Sequence, residues 1–136
     1  MEEGNTVSAT TSVYHFEQGI PGFEHLHHFV FSDLEQELPI KLMQSVDDQE
    51  ISLLIVNPFF FYPEYEWELS DSAKQELQIQ TEQDIEIWSI LTMATEPSEA
   101  TINLLAPLVL NPNQMTGKQL ILHDSTYSSR APLNRT

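Results

Sequence analysis

The sequence predicts an all-β chain: a single-domain, antiparallel β-barrel-like fold with at most one or two short helical turns. Three observations predict it. Apolar residues recur with period two or in short runs rich in Val, Ile, Phe and Tyr. Pro, Asn, Asp and Gly bound those runs, and eight prolines fall mostly at their ends, where a missing N–H costs little. The long amphipathic repeats of core helices are missing. Many short strands hide their apolar face and their edges best by closing or doubling the sheet.

Taken in order, strands are expected at Val13–Glu17, His27–Ser32, Ile40–Ser45 and Ile51–Asn57, then at Ile85–Met93, Thr101–Leu104, Leu108–Asn111 and Lys118–His123. Asp47-Asp48-Gln49 links two of them tightly, and Asn111 to Gly117 forms a longer hairpin loop ending in glycine at a position suited to positive φ. Ser70 or Asp71 can cap a short helical turn through Ala73-Lys74-Gln75-Glu76-Leu77, which carries good helix formers. The run Phe59-Phe60-Phe61-Tyr62 cannot point wholly inward on an extended chain, because alternate side chains face opposite ways. At least one of these rings is therefore expected at the surface, with Phe60 and Tyr62 as candidate partner-binding residues. The barrel domain is expected over 13–133, with a mobile segment at 1–12 and a tail at 134–136.

Composition removes several classes of function. With no cysteine there is no disulfide framework, thiolate metal site or cysteine nucleophile, and a reducing, cytoplasmic location is the natural expectation. The N-terminus carries Glu2 and Glu3 where an export signal needs basic residues, and the longest apolar stretches are far too short to cross a bilayer. The formal charge is −16, and it is unevenly spread: residues 1–100 hold twenty acids against Lys41 and Lys74. A field of that sign repels phosphate backbones, so direct binding to nucleic acid or an anionic membrane is not expected. Keeping a half-buried sheet soluble is the plainer reading of the same charge.

Chemistry-bearing motifs are scarce. Four glycines, at positions 4, 19, 22 and 117, build no phosphate-cradling loop, and no serine sits in a nucleophile elbow. No catalytic residue, cofactor or metal is assigned. His25 and His27 would share a face of an extended segment, with His28 and Glu24 alongside, but a polar strand start with solvent-facing imidazoles explains them more simply than a metal site. His15 and His123 are isolated in sequence. Local concentrations of acid at Asp47, Asp48 and Glu50, and at Glu64, Glu66 and Glu68, are the remaining candidate partner-binding residues.

Several segments, in order, resemble the FliW family of flagellar assembly factors. Phe16-Glu17-Gln18-Gly19-Ile20-Pro21-Gly22-Phe23-Glu24 is similar to the family's Gly-Leu-Pro-Gly-Phe-Glu turn, with Ile20 in place of the commoner Leu. Leu42-Met43-Gln44-Ser45-Val46-Asp47-Asp48 looks like its Leu-Gln-Ser-x-x-Asp segment with Met43 interposed. Val56-Asn57-Pro58-Phe59, Tyr65-Glu66, the stretch Thr101 to Asn111, and Gly117 to Leu122 with Tyr127 to Arg130 complete the match across 14–133. Within these motifs Gly19, Pro21, Gly22, Phe23, Gln44, Ser45, Asn57, Pro58, Asn103 and Pro107 read as turn and strand-end devices. The resemblance implies a barrel-like fold without enzymatic activity and two protein partners: cytoplasmic flagellin, and the basic RNA-binding translational regulator CsrA, which it would antagonise. The competing expectation is a β-barrel carrier of a small apolar ligand, which requires a sizeable internal cavity.

Overall fold

The structure, a computed structural model, describes residues 12–34, 39–123 and 125–133. The expected mobile segment 1–12, Ser12 apart, and the tail 134–136 lie outside the described residues. The strands are β1 (Val13–His15), β2 (His28–Asp33), β3 (Ile40–Ser45), β4 (Ser52–Val56), β5 (Glu86–Thr92), β6 (Thr101–Ile102), β7 (Leu108–Asn111), β8 (Thr116–Gln119) and β9 (Ala131–Pro132). Seven of them close a barrel in the order β4-β3-β2-β1-β8-β7-β5, with β5 returning to β4. Every neighbouring pair is antiparallel except β1 and β8, which meet in parallel at His15 and Thr116. There the His15 N–H donates to the Met115 carbonyl at 2.9 Å. Strand β6 pairs with the end of β5 and carries β9 beyond the ring.

The all-β, barrel-like class is therefore as expected, with local differences that have local causes. Strand β6 ends at Ile102 because Asn103 turns the chain, its Oδ1 accepting from the N–H groups of Leu105 and Ala106 at 3.1 and 2.9 Å. Strand β8 starts at Thr116 and stops at Gln119. Gly117 consequently lies inside a strand and does not take positive φ. That conformation falls to Met115, at φ 56°. Glycine is needed at 117 for space, since a Cβ there would sit 2.4 Å from the Phe16 ring. The two residues of β9, one of them proline, give no periodic signal to read.

The aromatic run is a second correction. Pro58–Phe61 forms one helical turn, α1, instead of an extended segment. Asn57 caps it through a 2.9 Å bond from the Phe59 N–H, and Pro58 sits at the first turn, where its missing N–H is harmless. The other helix, α2 (Asp71–Glu76), begins as expected: the Ser70 hydroxyl accepts from the Ala73 N–H at 3.2 Å.

Two apolar clusters use the two faces of the sheet. One gathers Phe16, Leu26, Phe29, Met43, Ile55 and Leu108, all fully buried or nearly so. Burying each such side chain contributes roughly 1.5–3 kcal/mol. The other gathers Val56, Tyr65, Leu91, Ile102, Leu104 and Ala131 on the opposite face. Strand β4 serves both, with Leu53 and Ile55 in the first and Leu54 and Val56 in the second. This is why 53–56 reads as a continuous apolar run where a half-solvated strand would alternate.

Candidate functional site

The motif residues hold turns. Ile20-Pro21-Gly22-Phe23 is a tight reversal, with the Phe23 N–H donating to the Ile20 carbonyl at 2.8 Å. Gly22 takes φ +90°, the value its position after proline in a type II turn demands. At Gly19, φ is +64° and a Cβ would lie 2.7 Å from the Glu24 backbone, so only glycine fits. Pro107 ends the Asn103 turn, and its carbonyl accepts from the Leu120 N–H at 2.9 Å.

The acids of the β3–β4 hairpin are turned toward their own chain. Asp47 accepts from the backbone N–H groups of His27 and His28 at 2.8 and 3.0 Å, and its carboxylate lies 3.2 Å from His28 Nδ1. These contacts, the His27 N–H first, outweigh partial desolvation and hold its carboxyl below the usual carboxylate range. Asp48 accepts from the Glu50 N–H at 3.1 Å and donates its own N–H to the buried Ser45 hydroxyl at 2.9 Å. Gln44 reaches the Gln49 carbonyl at 3.5 Å, and Glu50 is exposed.

Residues 62–69 behave differently. They run as a strap across the outer cluster in which Tyr65, Trp67 and Leu69 are buried or half-buried while Glu64, Glu66 and Glu68 are exposed. The Tyr65 hydroxyl donates to the Leu104 carbonyl at 2.7 Å, and burial pushes its pKa up. The Tyr127 hydroxyl clasps the strap at Glu66, accepting from its N–H at 3.0 Å and donating to its carbonyl at 3.1 Å. Tyr62 donates its hydroxyl to the Pro132 carbonyl. Phe60 is 66% exposed and Phe59 41% exposed on α1.

Between the strap, α2 and β5 lies an open groove of about 1050 Å³. Its apolar lining comes from Phe59, Trp67, Ile79, Ile85, Ile87 and Trp88. Exposed Glu66, Glu68, Asp71 and Glu86 also line it, and Lys74 is the cation among its lining residues. The Trp88 indole N–H donates to Glu86 at 3.1 Å, and the Lys41 ammonium sits 5.2 Å from the centre of the Trp88 ring. Helix α2 is held to the barrel by Lys118, 3.0 Å from Glu76, and by the buried Asn111 side chain donating to the Leu77 carbonyl at 2.7 Å.

Thus the structure brings Glu66 and Glu68 to one groove and leaves Asp47, Asp48 and Glu50 on a separate hairpin. Trp67, Trp88, Ile79 and Ile85 were not among the residues expected at a site. The signal for the strap is present as Glu64-Tyr65-Glu66-Trp67-Glu68-Leu69, an acid and apolar alternation with period two. Ile79 and Ile85 come from a connector and carry no such pattern. Of the histidines, His27 Nδ1 lies 2.9 Å from the Phe16 carbonyl and His25 is exposed. His15 is not isolated in space, its ring lying 5.1 Å from that of His28 and 6.2 Å from that of His27. Among the described residues no three His, Asp or Glu side chains are gathered in a way that would hold a metal.

These features define a small acidic β-barrel whose interior is packed with its own side chains and whose outer wall carries a recess of about 1050 Å³. The family model described as FliW protein matches residues 2–133. The chain is 41% identical over 118 residues to the flagellar assembly factor FliW of Bacillus subtilis (strain 168), covering 87% of this chain and 82% of that one. It is 40% identical over 120 residues to the flagellar assembly factor FliW of Thermosipho africanus, covering 88% and 83%. A crystal structure of the flagellar assembly factor FliW superposes with a TM-score of 0.87 at 35% identity, covering 100% of this chain and 90% of that one. The chain belongs to the FliW family.

Proposed function

We propose that this chain is a non-enzymatic flagellar assembly factor of the cytoplasm that works by binding two proteins, flagellin and the translational regulator CsrA. Family membership across residues 2–133 carries this reading. While flagellin occupies the protein, CsrA is free to repress flagellin synthesis; when flagellin is exported, the released protein antagonises CsrA. Such a switch requires only that the two complexes compete or couple, and its output follows from amounts and dissociation constants. The filled interior supports an external, protein-binding role over that of an apolar-ligand carrier.

The net charge of −16 suits a basic partner. It speeds encounter and, once docked, adds negative charge near the RNA path of that partner. The exposed Phe60, beside the strap acids, is the candidate anchor for flagellin.

Calorimetric titration against CsrA and flagellin from the same organism, singly and with the other partner present, tests the reading. Binding to both, with one weakening the other, is expected. Binding to neither at micromolar concentrations overturns it. Inhibition of CsrA is further expected to weaken as salt rises, and inhibition that stays flat from low to high salt removes the role assigned to the charge.

A further inference from the structure

We propose that the groove between the strap and β5 is the docking site for an amphipathic, cationic polypeptide segment of a partner protein; this rests on the protein-binding reading above. Its apolar lining admits a few large side chains in a volume of about 1050 Å³, far less than a folded domain needs. Around that lining stand Glu66, Glu68, Asp71 and Glu86 against Lys74, so a segment with apolar residues on one face and Lys or Arg beside them is matched in both respects. An acidic segment would meet repulsion from the same four carboxylates. The corner at Trp88 already holds a cation of the chain itself, the Lys41 ammonium over its ring, with Glu86 bonded to the indole N–H.

The wall facing the occupant is built before it arrives. Tyr65 is anchored to Leu104, Tyr127 clasps Glu66 on both sides, and the Tyr65 and Tyr127 rings meet edge to face at 4.8 Å. Little ordering therefore remains to be done on binding, which favours capture of a flexible segment by a rigid trough. The two lining types then divide the work. The aromatic and aliphatic side chains hold the segment, and the exposed carboxylates set its orientation and rate of arrival.

The chain has two tryptophans, Trp67 and Trp88, and both line this groove, so intrinsic fluorescence reports on it directly. The probe is a short synthetic peptide of Leu and Lys, spaced to place the leucines on one helical face, with a scrambled isomer and a Leu/Glu counterpart as controls. The expected result is a blue-shifted emission and protection from acrylamide quenching with the ordered Leu/Lys peptide alone. Affinity should fall about tenfold at low salt in a Glu66→Gln, Glu68→Gln variant and stay unchanged in a Glu50→Gln variant. An unchanged emission, an equal response to the scrambled peptide, or an equal loss in the Glu50→Gln variant overturns the assignment.

Titrating CsrA and flagellin against the same variants separates this inference from the reading beneath it. If the wild type binds either partner and the Glu66→Gln, Glu68→Gln variant binds both as well as the wild type does, the groove assignment fails and the protein-binding reading stands. If the wild type binds neither partner yet captures the ordered peptide at the tryptophans, the groove stands and the identity of its partner is wrong.

Discussion

The hairpin at 46–50 and the strap at 62–69 each carry three carboxylates, Asp47, Asp48 and Glu50 in one and Glu64, Glu66 and Glu68 in the other. They put them to opposite uses. In the hairpin, Asp47 accepts from the backbone N–H groups at the start of β2 and Asp48 from that of Glu50, which locks the turn from β3 to β4 in place. In the strap, the chain is held by the hydroxyls of Tyr65 and Tyr127, and the carboxylates of Glu66 and Glu68 line an open groove. The difference lies in reach and neighbours. A short Asp side chain in a turn finds backbone donors beside it. Glu66 and Glu68, alternating with large buried rings, are carried to the exposed face, where they line the groove.

The largest effect should come from cutting the strap loose. Tyr65→Ala removes a buried ring from the outer cluster and is expected to cost about 3–5 kcal/mol in urea denaturation. Partner binding should fall with it, because the groove loses its wall. Tyr65→Phe keeps the ring and deletes only the bond to Leu104, leaving a buried carbonyl short of a donor, and about 1–3 kcal/mol is expected. If Tyr65→Phe proved as damaging as Tyr65→Ala, packing of the ring would not be what holds the strap.

The hairpin responds to pH instead. Because the folded chain lowers the Asp47 pKa, its carboxylate contributes stability that is present above the ordinary carboxylate range and is lost as pH falls through the lowered value. Asp47→Asn should therefore be less stable than wild type at pH 7, and in denaturation curves the gap should shrink as pH falls past the usual aspartate pKa and close below the lowered value. A gap that persisted in acid would mean that geometry, not charge, carries the Asp47 contacts.

Smallest in stability, and sharpest as a contrast, is the Glu66→Gln, Glu68→Gln variant. Unfolding free energy is expected within about 0.5 kcal/mol of wild type, since these side chains are exposed. Its association rate with CsrA, the basic partner proposed above, followed by stopped flow, should drop at low salt and converge on wild type at high salt. Among the described residues the buried Ser89 hydroxyl has no hydrogen-bond partner, so Ser89→Ala on β5 is expected to be neutral or stabilising by up to about 1 kcal/mol. It leaves the charged surface untouched and serves as a control for effects transmitted through the sheet.

Much of this molecule was legible before its coordinates. Period-two runs and their bounding prolines placed eight of the nine strands among the described residues, because a strand with one buried face must alternate and a closed sheet must turn often. Asn57-Pro58 and the Pro21-Gly22 turn carried their own backbone instructions, though the helical turn that Asn57 caps was hidden by four aromatics that read equally well as extended chain. Ala131–Pro132 was illegible, being a strand only because Thr101 and Ile102 offer it an edge.

By itself the amino-acid sequence determined an acidic, all-β chain, since composition, periodicity and turn residues act locally and survive without knowledge of what packs where, and its ordered motifs carried the resemblance to the FliW family. Tertiary structure alone decided which of two equal acid clusters holds the chain and which faces a groove. It also decided why Gly117 must be glycine and that Trp67 and Trp88 share one recess. Those outcomes depend on which distant segments the closed barrel brings within a few ångströms, and no local pattern in the sequence records that distance.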